Sequence, residues 1–305
     1  MIKEFAVEPE LMATWEYFRI LWPDFGFSRG RVISDFPRKK WRRHVIDSAG
    51  ARNPPVAATS IRERMIQRAE WVSRVVDFHR EYPGDSRAWL ENAELSHGET
   101  PFHLILALTN PRAHVRVVPV EKLDRSDARY TVQLQLDDIP RRAEAIALAL
   151  GGLARHTTTL TFIDPYLRPA YGAFTRVIAA LVDKVEDAGA KLQHVCIHTR
   201  VENSSVDRNR EEHAIESELL PNLPTGCNLT VYYWKERSGG EQFHSRHILF
   251  DHCAVQIDPG LDEGAVTDRT QIILMEDHRV ITLRKKFDPT TSVYDAYCPP
   301  ITKVG

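Results

Sequence analysis

Near the start of the chain, apolar residues recur at helical spacing. In "PELMATWEYFRILW" Leu11, Trp15, Phe18 and Trp22 fall three or four residues apart, and in "SIRERMIQRAEWVSRVVDFHREY" Ile61, Met65, Ala69, Val72, Val76 and His79 repeat the pattern. Each predicts an amphipathic helix with one buried stripe. Ser60 is placed to cap the second helix, its hydroxyl accepting from first-turn amides, and the prolines of "ARNPPVAAT" predict a loop between the two. The period then shortens. "FHLILALTN", "HVRVVPVEKL" and "RYTVQLQLDDI" predict strands, the last alternating Val132, Leu134 and Leu136 with polar neighbours. Residues 1–138 are therefore expected to form an α+β region.

From Arg141 the pattern becomes regular. "RRAEAIALALGGLARH" predicts a helix, "TTTLTFIDPY" a strand, "AYGAFTRVIAALVDKVEDAGA" a helix, "KLQHVCIHTR" a strand, "REEHAIESELLPNL" a helix and "NLTVYYWKE" a strand. Alternation of this kind implies βαβ crossovers and a largely parallel sheet. After the glycine-bearing "RSGGEQ", the runs "FHSRHILFD", "CAVQID" and "TQIILME" follow with no helix between them, so residues 139–305 are expected to form an α/β domain with a mixed sheet. Ligands of such sheets gather beyond the carboxyl ends of the parallel strands. That singles out Asp164 and Tyr166, in "IDPY", as candidate ligand-binding residues. The structural role open to Asp164 is to cap a helix after Pro165. No repeat of 20 to 50 residues recurs, which excludes a solenoid.

Composition narrows the function. With 305 residues, 43% apolar and 27% charged, the chain can bury one large core or two modest ones. Its longest apolar runs reach about six residues, too short for a membrane span, and "MIKEFAVEPE" lacks the basic-then-apolar order of a secretory leader. A cytoplasmic protein is expected. Cys196, Cys227, Cys253 and Cys298 are scattered and form no C-x-x-C pair, so neither a zinc site nor a disulfide framework is indicated. No metal and no cofactor is called for. A net charge of −2 argues against a protein that coats nucleic acid or membrane with its whole surface, so anion binding must be local. One segment is dense in cations. "RGRVISDFPRKKWRRH", residues 29–44, sets seven basic side chains against Asp35 alone, with Phe36 and Trp41 interleaved. Basic groups neutralise phosphates and rings stack on bases, so Arg38, Lys39, Trp41 and Arg42 are candidate ligands for nucleic acid or anionic lipid. The structural alternative is a solvated helix face with Trp41 turned inward.

In "FHSRHILFD" His244 and Arg246 are two residues apart, so on one strand they share a face at about 7 Å and could hold one phosphate. Asp251 lies at an odd offset and can join them only through a bend at the strand's end. The order His, x, Arg, four residues, Asp is the phospholipase D signature with arginine in place of lysine. Residues 159–264 resemble the phospholipase D-like domain found at the C-terminus of MIT-domain proteins associated with ESCRT membrane machinery, and its prokaryotic relatives. "TFIDPYLRPAYGAFTRVI" is similar to that family's opening strand, Asp-Pro-Tyr turn and helix; "FHSRHILFD" to its His-x-Arg strand; and "VQIDPGLDEG" to the Gly-Leu-Asp turn that follows.

In phospholipase D-type enzymes a histidine attacks phosphorus and a second histidine, from a repeat or a dimer mate, protonates the leaving oxygen. The resemblance therefore implies His244, Arg246 and Asp251 as the catalytic set and a homodimer as the way to bring in the second histidine. This chain carries one clear copy, has arginine for lysine, and has "DPGLDE" where the enzymes have Gly-Ser-x-Asn. Those departures favour a phosphate-recognising module without chemistry. A metal-independent phosphodiesterase or nuclease acting as a homodimer, in a setting of prokaryotic defence, is the alternative, and an interaction scaffold a third. Two further matches, His114–Arg116–Glu121 and His198–Arg200–Asp207, are expected to be chance.

Overall fold

The computed structural model describes residues 1–201 and 206–305. They divide into two compact units, 2–133 and 134–305, the latter with Met1.

The 2–133 unit is an α/β fold, not the expected α+β arrangement. Among the described residues its strands are β1 (Lys3–Val7), β2 (Arg31–Ser34), β3 (Val75–Val76), β4 (Leu104–Ala107) and β5 (Val117–Pro119), all parallel in the order β3-β2-β1-β4-β5. This is a doubly wound order. Helices α1 (Pro9–Met12), α2 (Trp15–Leu21), α3 (Trp41–Arg52), α4 (Pro55–Ile66), α5 (Arg68–Trp71) and α6 (Trp89–Glu99) supply the crossovers. Strand β1 carries no alternation because it is covered on both faces: Phe5, Ala6 and Val7 are all buried. "ARNPPVAAT" is almost wholly helical, with only Asn53 and Pro54 breaking the path between α3 and α4. Pro55 starts α4 because its missing N–H costs nothing in the first turn. Ser60 therefore lies inside α4 and donates to the Val56 carbonyl rather than capping. The helical spacing through Val76 is overridden by strand β3, which pairs with β2.

The 134–305 unit is a mixed α/β sandwich. Strands β6 (Gln135–Pro140), β7 (Thr159–Ile163), β8 (His194–Arg200), β9 (Asn228–Lys235), β10 (His247–Leu249), β11 (Ala254–Asp258), β12 (Arg269–Leu274) and β13 (Asp295–Ala296) lie in the order β13-β9-β8-β7-β10-β11-β12-β6, and β14 (Ile301–Val304) also pairs with β9. Strands β7, β8 and β9 are parallel, and all other pairings are antiparallel. Helices α7 (Ala143–Ala154), α8 (Gly172–Asp187), α9 (Arg208–Ala214) and α10 (Asp277–Phe287) cover the sheet. Helix α8 shows why the alternation was readable: Phe174, Val177, Ile178, Leu181, Val182 and Val185 form one buried stripe. "RYTVQLQLDDI" becomes regular only from Gln135. No helix among the described residues is long and apolar enough to cross a membrane.

Candidate functional site

The site lies beyond the carboxyl ends of β7 and β8, where the first antiparallel neighbour, β10, enters the sheet. The register sets its members. His247 pairs with Ile163, so Arg246 falls beside Asp164, the residue following β7. "FHSRHILFD" is not one strand: only His247–Leu249 is regular, although the Arg246 carbonyl still accepts from the Ile257 amide at 3.0 Å. The Arg246 Nη1 bonds the Asp258 carboxylate at 3.3 Å and its Nε lies 3.8 Å from Asp164. Its guanidinium also sits 5.3 Å from the centre of the Tyr166 ring, and that of Arg200, the last residue of β8, approaches the same ring at 5.5 Å. One half-exposed tyrosine is thus shared by two guanidinium groups. Contacts of this kind favour the ring face, which carries the negative end of its quadrupole.

The carboxylates differ in kind. Asp164 is buried, and it accepts from the Tyr166 amide at 2.7 Å and the Leu261 amide at 3.3 Å. It closes the Asp-Pro-Tyr turn rather than capping a helix, since α8 begins only at Gly172. Burial nevertheless pushes its pKa above the ordinary aspartate value. Asp258, by contrast, is 66% exposed at its side chain and can swing into solvent. The loop after it is fixed from below. Arg141 bonds Asp262, and Glu263 accepts from the Ala143 amide at 3.0 Å and from Arg176. Gly260 leaves room for this: a Cβ there would lie 2.6 Å from Asp262 Oδ1 and 2.9 Å from Arg141 Nη2.

His244 stands at the rim. Its exposed ring bonds Gln242 at 2.7 Å, while the preceding Phe243 is buried against Phe287 and Tyr294 and donates its amide to Glu236. That amide, with Arg200 at 3.2 Å and His244 nearby, holds the Glu236 carboxyl below its usual range against the opposing effect of burial. Glu236 and Arg200 thereby link His244 to the Tyr166–Arg246 pair. Arg168 braces Arg200, donating to its carbonyl at 2.9 Å and to the Thr199 hydroxyl at 2.7 Å.

Asp251 does not join this group. It follows the far end of β10, where its carboxylate accepts from the Thr158 amide and hydroxyl and from the Thr159 amide at 2.8 to 3.0 Å. The length of β7, about 16 Å at about 3.3 Å per residue, separates Thr159 from Asp164. Because β10 runs antiparallel to β7, from Ile163 back to Thr161, the chain delivers Asp251 to the start of β7, and its role there is structural. His198 is likewise excluded: it is stacked against the Tyr232 and Trp234 rings, accepts from Trp234 Nε1 at 3.0 Å, and burial pushes its pKa down to about 3.

The basic segment 29–44 is neither one helix nor one patch. Arg29 and Arg31 lie at the amino end of β2, and residues 38–43 follow its carboxyl end. Trp41 is fully buried and donates to the Val7 carbonyl at 2.6 Å, so it cannot stack on a ligand. Arg38 pairs with Asp77 at 2.7 Å; Arg42 donates to the Met65 carbonyl and covers the Trp71 ring at 4.5 Å. Lys39, in the left-handed region at φ 62°, donates its amide to Asp35 and extends its side chain to solvent. In the sequence Arg200 figures only in a match expected to be chance, and Arg168 is not singled out. The rule that picked Asp164, a polar residue at the carboxyl end of a parallel strand, applies equally to Arg200.

No protein-family profile matches the sequence, and no curated protein does. Among solved structures, the chain is similar to phosphatidylserine synthase of Haemophilus influenzae Rd KW20, at a TM-score of 0.32 and 11% identity over 52% of this chain and 37% of that one. It is also similar to TrmBL2, an archaeal chromatin protein with a novel mode of DNA binding, at a TM-score of 0.25 and 13% identity over 53% of this chain and 52% of that one. The chain thus spans about a third and about half of these two proteins. Likenesses at this level establish no kinship, and the mixed α/β fold rests on its own strand order.

Proposed function

We propose that the 134–305 unit is a phospholipase D-like module of the MIT C-terminal type that recognises a phosphate-bearing ligand, nucleic acid or phospholipid, without cleaving it. The observation that carries this reading is the position of Arg246: its guanidinium lies beside buried Asp164, shares the Tyr166 ring with Arg200, and is paired with the exposed carboxylate of Asp258. A phosphate oxygen can take the place of the Asp258 carboxylate and accept the same paired donors, while Asp164 keeps Arg246 in place. Chemistry is disfavoured because Asp251 is elsewhere and the His244 ring is engaged by Gln242 rather than by a second imidazole.

His244 is exposed, which favours one second reading. In a homodimer the ring of one copy would attack phosphorus, the bond to the leaving oxygen would break, and the His244 of the second copy would give that oxygen its proton. An assay with chelator present separates the two. Single- and double-stranded nucleic acid, a generic phosphodiester and phospholipid are offered to the wild type and to His244→Ala and Arg246→Ala. The binding module predicts no turnover and weakened binding chiefly in Arg246→Ala. Turnover in chelator that disappears with His244→Ala would replace it by the phosphodiesterase.

A further inference from the structure

The parallel sheet of the 2–133 unit has a crevice of its own. In a doubly wound sheet ligands sit outside the carboxyl ends of the strands, most often where the order reverses, here between β1 and β4. That point is closed. The Glu8 carboxylate accepts from the Leu108 amide at 2.6 Å and occupies the space. One strand further, along β5 and the loops that precede and follow it, a cleft of about 680 Å³ opens, within the range of about 300–1,000 Å³ usual for small-molecule sites.

The cleft joins an apolar wall, from Leu108, Val118 and Pro119, to a polar rim that includes His114 and Lys122. Its charges do not cancel. Arg129 also lines it but is neutralised by Asp127, which takes Nε at 3.0 Å and Nη2 at 2.5 Å. Lys122 is exposed and has no carboxylate at ion-pair distance among the described residues, so one positive charge is left over. His114 is oriented in advance. Its Nδ1 accepts from the Arg116 amide at 3.2 Å, so the neutral ring carries its proton on Nε2. The ring is backed edge-on by His97 at 5.5 Å, and His97 is itself fixed by the Phe102 amide at 3.1 Å. Asn110 ties the loop together through the His114 amide and carbonyl and the Val117 carbonyl. A rigid rim of this sort lowers the ordering cost of binding.

We infer that this cleft binds a small phosphate-bearing molecule of mononucleotide size. Lys122 Nζ takes the phosphate, the His114 Nε2–H donates to a second polar group of the ligand at the other end of β5, and the apolar wall between them carries the flat part of the ligand. The site is separate from the Arg246 cluster and does not rest on the reading given to it. Calorimetric titration of the full chain tests it, with adenosine monophosphate and inorganic phosphate as probes, Lys122→Glu as the variant and Lys191→Glu, at an exposed residue of the other unit, as the charge-reversal control. Both side chains reach solvent, and an unchanged thermal midpoint confirms folding. The expected result is adenosine monophosphate binding that falls at least about tenfold in Lys122→Glu, stays within about twofold in Lys191→Glu, and exceeds phosphate binding by at least about tenfold. Absence of binding at millimolar probe, or binding indifferent to Lys122→Glu, overturns the site. Phosphate binding as tightly as the nucleotide overturns the ligand class.

Discussion

The segment 29–44 and the Arg246 cluster are both rich in positive charge, yet they use it in opposite ways. In the segment seven cations stand within sixteen residues, and the fold scatters them: strand β2 sends Arg29 and Arg31 to one end and residues 38–43 to the other, and Arg38, Lys40, Arg42 and Arg43 each have a local partner. In the cluster Arg200 and Arg246 are distant in sequence, but β8 and β10, the two neighbours of β7, bring them to one ring. Density along a chain is a property of the unfolded polymer as much as of the fold. Convergence is produced by strand order, and it is convergence that lets several donors reach one phosphate.

The strongest test of the contrast is aromatic. Trp41 looks like a stacking platform in the sequence and is a core residue in the fold, whereas Tyr166 is half exposed. Trp41→Ala is expected to cost about 3–5 kcal/mol of stability through the cavity and the lost bond to Val7, read as a fall in the urea midpoint at unchanged slope. Tyr166→Ala should leave that midpoint nearly where it was and weaken anion binding instead. A Trp41→Ala protein of wild-type stability would restore Trp41 to the ligand surface.

A second test contrasts the histidines. His244 is exposed, but His198 and His247 are buried neutral, with pKa values pushed down by burial to about 3 and about 4. Unfolded imidazoles titrate near 6.5, so between about pH 6.5 and 4 the unfolded chain takes up protons that the folded one refuses. Stability is therefore lost as pH falls through that window, by about 2 kcal/mol per buried histidine between pH 7 and 5. His198→Phe should flatten the decline measured by urea unfolding at the two pH values. Equal slopes in wild type and His198→Phe would place a proton on His198 in the fold.

A smaller effect concerns the carboxylates around Arg246. Asp258→Asn removes an exposed competitor for the guanidinium and is expected to tighten phosphate-ligand binding by a few-fold, roughly 1 kcal/mol or less. The gain should shrink as salt is raised, since exposed charges are screened. Weaker binding in Asp258→Asn would make Asp258 a contributor to ligand contact.

Much of the 134–305 unit was legible because helices such as α8 bury one stripe and so keep their period visible, and because strands β7, β8 and β9 end in recognisable polar residues. The 2–133 unit hid its sheet for the complementary reason. Strands β1 and β4 are buried on both faces and lose the two-residue alternation, and β3 is only two residues long, so the helical spacing from Ile61 runs across it unbroken. The candidate site was half readable. Asp164 and Arg246 meet because β10 pairs with β7, a neighbour relation that their positions on strand ends suggest. The separation of Asp251 follows from the antiparallel run of β10 along β7, away from Asp164, and the arrival of Arg200 requires knowing that β8 lies next to β7.

The central claim is that Arg246, not the basic segment and not Asp251, carries recognition of a phosphate-bearing ligand. The most direct test is equilibrium binding of a fluorescein-labelled single-stranded oligonucleotide, and in parallel of anionic phospholipid vesicles, to the wild type, Arg246→Glu, Asp251→Ala and the double variant Lys39→Glu/Lys40→Glu. At constant salt Arg246→Glu is expected to weaken binding to one of these ligands at least about tenfold. Asp251→Ala should lower stability by about 1–2 kcal/mol through its lost bonds to Thr158 and Thr159, with affinity unchanged, and the lysine reversals should change affinity by about twofold or less. Arg246→Glu binding as tightly as the wild type, with affinity falling in the lysine double variant, would contradict the account.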